Sequence, residues 1–355
     1  MGSTQADVQV LVQMMQHLNV EPEELLAAAR PQNIPTFEQF MPLVRDAAPP
    51  ASRVIYHAYW NTIVTCWGTR RLHEPTPRDV DELYEHVRAI AQRRRNHADG
   101  GSAVHHTYYA LQRVYRLAVD QGILSSRQDL MARVPKPRKV KSRRHALSPQ
   151  LYQEIVQTAV RTGHDPRLDS LLLRFHLETA ARTGGALGLL LQDLDPDRLL
   201  ITLREKGTLR FQPVSRTLMQ ALLDLAEERG VSARTSPLLR FPDGRPLTRR
   251  RYQRMWDRVG KHVKAVEELS ISTHWLRHTT LTWVERNFGT AVAIAYAGHS
   301  QWNLWRGSTT IYVKASLEEV ATALQVLTGE RHPLALVGSW TVEADDVHPL
   351  QEAER

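Results

Sequence analysis

The chain has a single cysteine, Cys66, among 355 residues. That scarcity excludes an intrachain disulfide and any cysteine-rich zinc site, and it fits a reducing cytoplasm. Long apolar runs are also missing. No stretch approaches membrane-spanning length, and the opening MGSTQADVQ has neither the basic nor the apolar part of a signal peptide. A soluble, cytoplasmic protein with no membrane association is expected. Metal dependence is not indicated, no cofactor is expected, and there is no internal repeat. Acidic charge is in deficit, with 38 Asp and Glu against 46 Lys and Arg, which gives a net charge of +8 and a pI near 9.7. Such a balance favours a polyanionic partner, nucleic acid first.

The deficit is sharpest at 133–145, RVPKPRKVKSRRH, which holds eight basic side chains counting His145 and no acid. Pro135 and Pro137 oppose helix there, so the stretch reads as an extended basic tether. Runs of this kind are often only solvated. Along a nucleic acid, however, each Lys or Arg near a phosphate releases counterions, and the DNA reading is favoured. Lys136, Arg138, Lys139, Lys141, Arg143 and Arg144 are the candidate contacts.

Periodicity places helices on both sides of this tether. Val8, Val10, Leu11, Met14, Met15 and Leu18, then Leu25 and Leu26, predict two short helices in a non-basic extension suited to packing or oligomer contact. After Pro31 and Pro35, a stripe of Phe37, Phe40 and Leu43 predicts a helix. A second carries Val54, Tyr56, Tyr59, Trp60, Ile63 and Trp67. A third spans 79–95 and ends in Arg93, Arg94 and Arg95. A fourth spans 105–121 through Tyr108, Leu111, Val114, Tyr115 and Ala118 and stops at Gly122. Four helices with short connections make a small bundle. Arg70, Arg71, Arg113 and Arg116 join Arg93–Arg95 as either solvated charge or phosphate contacts.

Beyond the tether, Ser148 caps a helix with Pro149 at its first position, and another helix covers 168–181. Segments 199–203 and 209–214 alternate as a hairpin with Lys206 and Gly207 at its turn. A basic helix is expected over 249–266, an amphipathic one over 316–327, and a loose acidic tail from Glu330.

The chemistry concentrates in 273–312. With Thr273 as N-cap, His274 and Arg277 share one face of a first helical turn, where anions are favoured. A second short helix, capped by Thr290, ends at Gly298 in the left-handed conformation, with His299 just past it. Tyr312 follows, flanked by Thr309, Thr310 and Lys314. Singly, such residues are usually surface, hydrogen-bonded or packing groups. Imidazole, guanidinium, imidazole and phenol in this order are what covalent attack on a phosphodiester needs.

The segments HWLRHT (274–279), AGHS (297–300) and TTIY (309–312) resemble the H-x-x-R, L-G-H and T-T-x-x-Y boxes of the tyrosine recombinases, the phage integrase family. TAARTGGALGLLLQDLD (179–195) resembles that family's first box and puts its arginine at Arg182. Two departures stand out there: Ala180 replaces a glycine, a change expected to be harmless, and Gly185 replaces an acid that helps hold the site together. The span from His299 to Tyr312 is also longer than usual. The wording of the second box is closest to integrases of actinobacterial mobile elements.

The resemblance implies a mainly α fold with a small β-sheet (α+β catalytic domain), organised as a two-domain clamp. Its parts would be an N-terminal helical extension (1–35), a helical core-binding domain (36–132), the basic linker (133–145), a catalytic domain (146–328) and an acidic tail (329–355). It implies a site-specific recombinase that cleaves and rejoins DNA through a 3′-phosphotyrosine, without ATP or metal. Tyr312 would be the nucleophile, with Arg182, Arg277, His274, His299 and the hairpin Lys206 around the phosphate. Double-stranded DNA would be the partner, with assembly into a tetramer and room for an accessory directionality factor. A topoisomerase of the related one-tyrosine kind, or a relative that binds without cutting, are the alternatives. In relatives the helix at 316–327 often packs on a neighbouring protomer.

Overall fold

The computed structural model describes residues 5–18, 34–94, 100–138, 144–205, 207–298, 315–338 and 350. The chain is mostly helical, with one small antiparallel sheet, and it divides into two compact units, Met1–Lys141 and Ser142–Arg355. No helix among the described residues is long and apolar enough to cross a membrane.

In the first unit, α1 (Gln5–Leu18) leaves Val8, Val10, Val12, Met14 and Leu18 exposed. The second short helix expected near 21–30 lies outside the described residues. The bundle follows as α2 (Phe37–Ala47), α3 (Pro50–Trp67), α4 (Pro77–Arg94) and α5 (Gly101–Asp120). Thr36 caps α2 through a reciprocal box with Gln39, and this start sets the phase. Phe37, Phe40, Met41 and Val44 then form the buried stripe, at i, i+3, i+4 and i+7, and the predicted Leu43 falls off it, 40% exposed. Val54, also expected inside, is 84% exposed, whereas Trp60, Ile63 and Trp67 of α3 are buried against Tyr108, Leu111, Val114, Tyr115 and Ala118 of α5. Gly122 closes α5 at φ 69°, with the Ile123 amide donating to the Ala118 carbonyl.

Two of the arginines weighed as phosphate contacts hold this unit together. Arg70 pairs with Asp79 at 2.7 Å, and Arg71 Nη1 donates to the Ile34 carbonyl at 2.7 Å. Arg116 remains on the surface near Asp120. Lys136 lies over the Tyr109 ring at 5.1 Å, and Arg138, like Arg144 in the second unit, is exposed. Arg93 and Arg94 fall in the last turn of α4. Their side chains, and Arg95, Lys139, Lys141 and Arg143, lie outside the described residues.

The second unit is built on α7 (Pro166–Thr179), whose apolar residues Leu168, Leu172, Leu173, Phe175 and Leu177 are all buried. Asp165 caps it, as Ser148 caps α6 (Pro149–Thr162) before it. A single turn, α8 (Thr183–Leu187), leads to the sheet of β1 (Leu194–Asp195), β2 (Leu200–Glu205) and β3 (Thr208–Pro213), in that order. The β2–β3 hairpin turns at the expected place: Glu205 pairs with Thr208, and Gly207 takes φ 80°. Next come α9 (Arg216–Glu228), α10 (Arg249–Gly260), α11 (Lys264–Glu268), α12 (Thr273–Tyr296) and α13 (Leu317–Thr328).

Four expectations need correction here. The basic helix expected over 249–266 is two helices, because the amides of His262 and Val263 both turn back to the Val259 carbonyl, which swings Val263 and Val266 into the core. The N-cap position of α12 is Ser272, one residue earlier than predicted and without a side-chain capping bond, and the Thr273 hydroxyl instead accepts from the Trp256 indole at 2.9 Å. The two helices expected over this stretch are both present within α12: they meet at Gly289, whose backbone is not helical (φ 81°, ψ 169°), and only the cap differs, since the Thr290 hydroxyl bonds Glu285. The segment after α13 is not loose where it is described. Glu330 accepts from the Thr217 amide at 3.1 Å, His332 is buried, and the Leu336 amide donates to Thr322 Oγ1 at 2.9 Å. α13 itself buries Val320, Ala321, Ala323, Leu324 and Leu327 within its own unit.

Candidate active site

The site assembles where three chain segments end together: the C-terminus of α7, the inner face of the hairpin, and both ends of α12. α7 stops at Thr179, and Ala180 turns the chain in the left-handed conformation (φ 51°, ψ 24°). A residue with a side chain strains there by about 1 kcal/mol, so replacing glycine at this position is not free of cost. The turn is held from below and from the side. His176, fully buried in α7, bonds the Ala181 carbonyl through Nδ1 at 2.9 Å. A carbonyl can only accept, so Nδ1 carries the proton and Nε2 accepts from the Tyr252 hydroxyl, also at 2.9 Å. Burial lowers this imidazole to about 4, so it stays neutral.

Arg277, buried in the second turn of α12, gives Nη1 to the Ala180 carbonyl and Nη2 to the Ala297 carbonyl, the latter at 2.7 Å. One guanidinium thus ties the turn before Arg182 to the chain just before His299. Arg182 stands at the N-cap position of α8 and keeps a fifth of its side chain exposed. Its Nη1 meets Glu205 Oε2 at 2.8 Å, and its amide donates to Glu205 Oε1 at 2.5 Å. The same Oε2 lies 3.7 Å from Arg210 Nε and 3.9 Å from Arg277 Nη1. Arg210, on β3, also donates to the carbonyls of Tyr296 (2.6 Å) and Thr179 (3.2 Å). Gly298, at φ 59°, lies against the Arg210 side chain so closely that a Cβ would strike Cδ, so both conformation and space require glycine.

Charge is unbalanced at this junction. One buried carboxylate faces three guanidiniums, those of Arg182, Arg210 and Arg277. Burial, then repulsion from Arg182 and Arg210, lowers Arg277 to about 9 despite Glu205. Burial chiefly lowers Arg210 to about 10. An anion entering here would relieve that crowding. His274 stands at the edge with a solvent-facing side, and partial burial followed by the charges of Arg144, Arg277 and Arg182 lowers it to about 4. Its imidazole is neutral at physiological pH.

The structure therefore brings Arg182 and Arg277 onto one carboxylate, with His274 within reach of their charge. Lys206, His299 and Tyr312 lie outside the described residues, although their neighbours Glu205 and Gly298 border the cluster. Tyr296 is wholly buried, and its hydroxyl donates to the Glu178 carbonyl at 2.5 Å. Glu205, Arg210 and His176 are the site residues that reading the sequence missed. Strand alternation held a clue: Glu205 is in phase with buried Ile201 and Leu203, and Arg210 sits opposite Leu203. Among the described residues no group of three or more His, Cys, Asp or Glu could hold a metal ion.

The phage integrase family model matches residues 145–319. In fold the chain is similar to a lambda integrase tetramer bound to a Holliday junction, with 14% identity and a TM-score of 0.60 over 89% of this chain and 91% of that one. A lambda integrase dimer bound to a COC′ core site gives 15% and 0.61 over 88% of each chain. The Tn1549 transposon integrase in complex with transposon right-end DNA gives 15% and 0.58 over 83% of this chain and 99% of that one. No curated protein matches the chain.

Proposed function

Because the chain belongs to the phage integrase family through residues 145–319, we propose that it is a site-specific DNA recombinase that breaks and rejoins strands through a covalent tyrosine intermediate. The observation that supports this most strongly is the cluster of three guanidiniums around one carboxylate at the ends of α7 and α12, a net positive pocket at the Arg182 and Arg277 positions. Planar guanidinium forks suit the non-bridging oxygens of a phosphodiester, and they neutralise the charge that builds at phosphorus.

In this reading the Tyr312 oxygen attacks phosphorus, the phenolic proton passes to neutral His274, and the bond from phosphorus to O5′ breaks. Lys206 gives the leaving oxygen its proton, and His299 donates to the phosphate. The products are a 3′-phosphotyrosine and a free 5′-hydroxyl. Attack by a partner strand's 5′-hydroxyl reverses the steps, which returns the phenol and reseals DNA without ATP or metal. The helical domain at 36–132, the linker at 133–145 and the catalytic domain at 146–328 would close around the duplex, and strand exchange would take place in a tetramer in the cytoplasm, on the nucleoid.

The DNA flanking the gene supplies test substrates. On nicked suicide duplexes from those junctions, Tyr312→Phe is expected to abolish the covalent adduct while binding persists. Tyr296→Phe should retain the adduct and lose about 1 kcal/mol of stability with its buried hydrogen bond. Adduct formation by Tyr312→Phe, or its loss only in Tyr296→Phe, would overturn the assignment. Relaxation of arbitrary plasmids without exchange would favour the topoisomerase reading.

A further inference from the structure

Gly185 has no left-handed backbone to justify it, since it lies within the α8 turn and its φ is not positive. What excludes a side chain there is space. A Cβ on residue 185 would stand 2.5 Å from Glu205 Oε1, 2.8 Å from its Cγ and 3.0 Å from its Cδ. The first of these separations is about the span from Cβ to a carboxylate oxygen within a single aspartate. The Glu205 carboxylate, sent inward by the alternation of β2, thus sits where an acid carried on residue 185 would put its own.

Resting on the function proposed above, we infer that Glu205 is the positioning residue that supplies, from the hairpin, the carboxylate missing at residue 185. Its side chain is only 2% exposed, and it fixes Arg182 twice, at the amide and at Nη1, while its Oε2 also faces Arg210 and Arg277. A guanidinium held on one edge by a carboxylate presents its remaining N–H groups in one direction, here toward the phosphate. Because Glu205 is covalently next to Lys206, the same contact ties the strand carrying the proposed acid to the arginine that grips the phosphate. Two carboxylates cannot share this space, since they would clash and repel. Glycine at 185 and glutamate at 205 are therefore a matched pair, and the absent acid of the first box does not signal a lost activity.

The matched pair can be taken apart and rebuilt. Glu205→Ala, Gly185→Asp and the double variant Gly185→Asp with Glu205→Ala are compared with wild type by thermal melting, which needs no DNA, and by the rate of adduct formation at saturating suicide duplex. Glu205→Ala leaves buried guanidiniums uncompensated and is expected to lower the melting temperature on the order of 10 °C. Its cleavage rate should fall about a hundredfold through misplaced Arg182, with DNA affinity nearly unchanged. Gly185→Asp alone should also be impaired. The double variant should recover most of both properties. An unimpaired Glu205→Ala, or a double variant no better than either single one, would overturn the inference, as would recovery of melting without recovery of cleavage. If wild type forms no adduct on any junction duplex, the proposed function fails by itself, and failure of the double variant to recover melting still counts separately against the matched pair.

Discussion

His176 carries no charge in the folded protein and holds the turn that presents Arg182, so acid should act on it directly. Its imidazole lies at about 4 in the fold against roughly 6.5 in an unfolded chain. A depressed value of this kind contributes stability that is complete above the unfolded pKa and is lost as pH falls through the folded one. The window runs from about 6.5 down to about 4, and the loss is roughly 3 kcal/mol. Buried Glu178, raised to about 6 mainly by desolvation, works in the opposite direction and becomes more stabilising as it protonates. A difference measurement removes it. Denaturant unfolding of wild type and His176→Gln at pH 7 and pH 4 should show wild type losing roughly 3 kcal/mol more than the variant. Equal losses would mean that His176 does not titrate in this window.

Between elements, α7 and α10 are joined by a buried acid shared by two bases. Asp169 is completely buried and meets Arg251 and Arg258 at 2.6 Å each. Asp169→Ala would strand two guanidiniums and is expected to cost about 3–5 kcal/mol in denaturant unfolding, whereas Arg250→Ala on the exposed side of α10 should stay within about 0.5 kcal/mol. Comparable small effects would show that the pair is not buried in solution. The same helices show what a sequence can and cannot convey. The caps Ser148 and Gly122, the hairpin turn at Gly207 and the burial of α5 were all legible, because each depends on residues within a few positions. The break after Gly260 was not, since it depends on where distant side chains find a core. The hairpin is the instructive case. On β3 the apolar residues Leu209 and Phe211 face solvent while Gln212 is buried and Arg210 nearly so, a reversal of ordinary patterning that marks the strand as lining a site instead of covering a core. Arg182 and Arg277 were legible because their boxes are local. Glu205 was not, because its role exists only once β2 lies beside α8.

On the scale of the whole chain, charge between the units should govern affinity for DNA without governing its choice of sequence. Replacing Lys136, Arg138, Lys139 and Lys141 by Ala should weaken binding to all duplexes alike, and should flatten the salt dependence by nearly one unit of log–log slope for each phosphate left without its cation. Titrations at several salt concentrations measure that slope directly, and an unchanged slope would reduce the segment to a solvated tether. Arg277 has a further consequence, for the order in which the protein becomes dangerous to its host. It joins the carbonyl of Ala180 to that of Ala297, so this last tie on the Arg182 turn forms only after the ribosome has made residue 297. A chain halted before that point holds its first arginine on its hairpin but lacks the tie from there to the end of α12. An enzyme of the proposed kind would therefore stay harmless to the chromosome until that later stretch has been made.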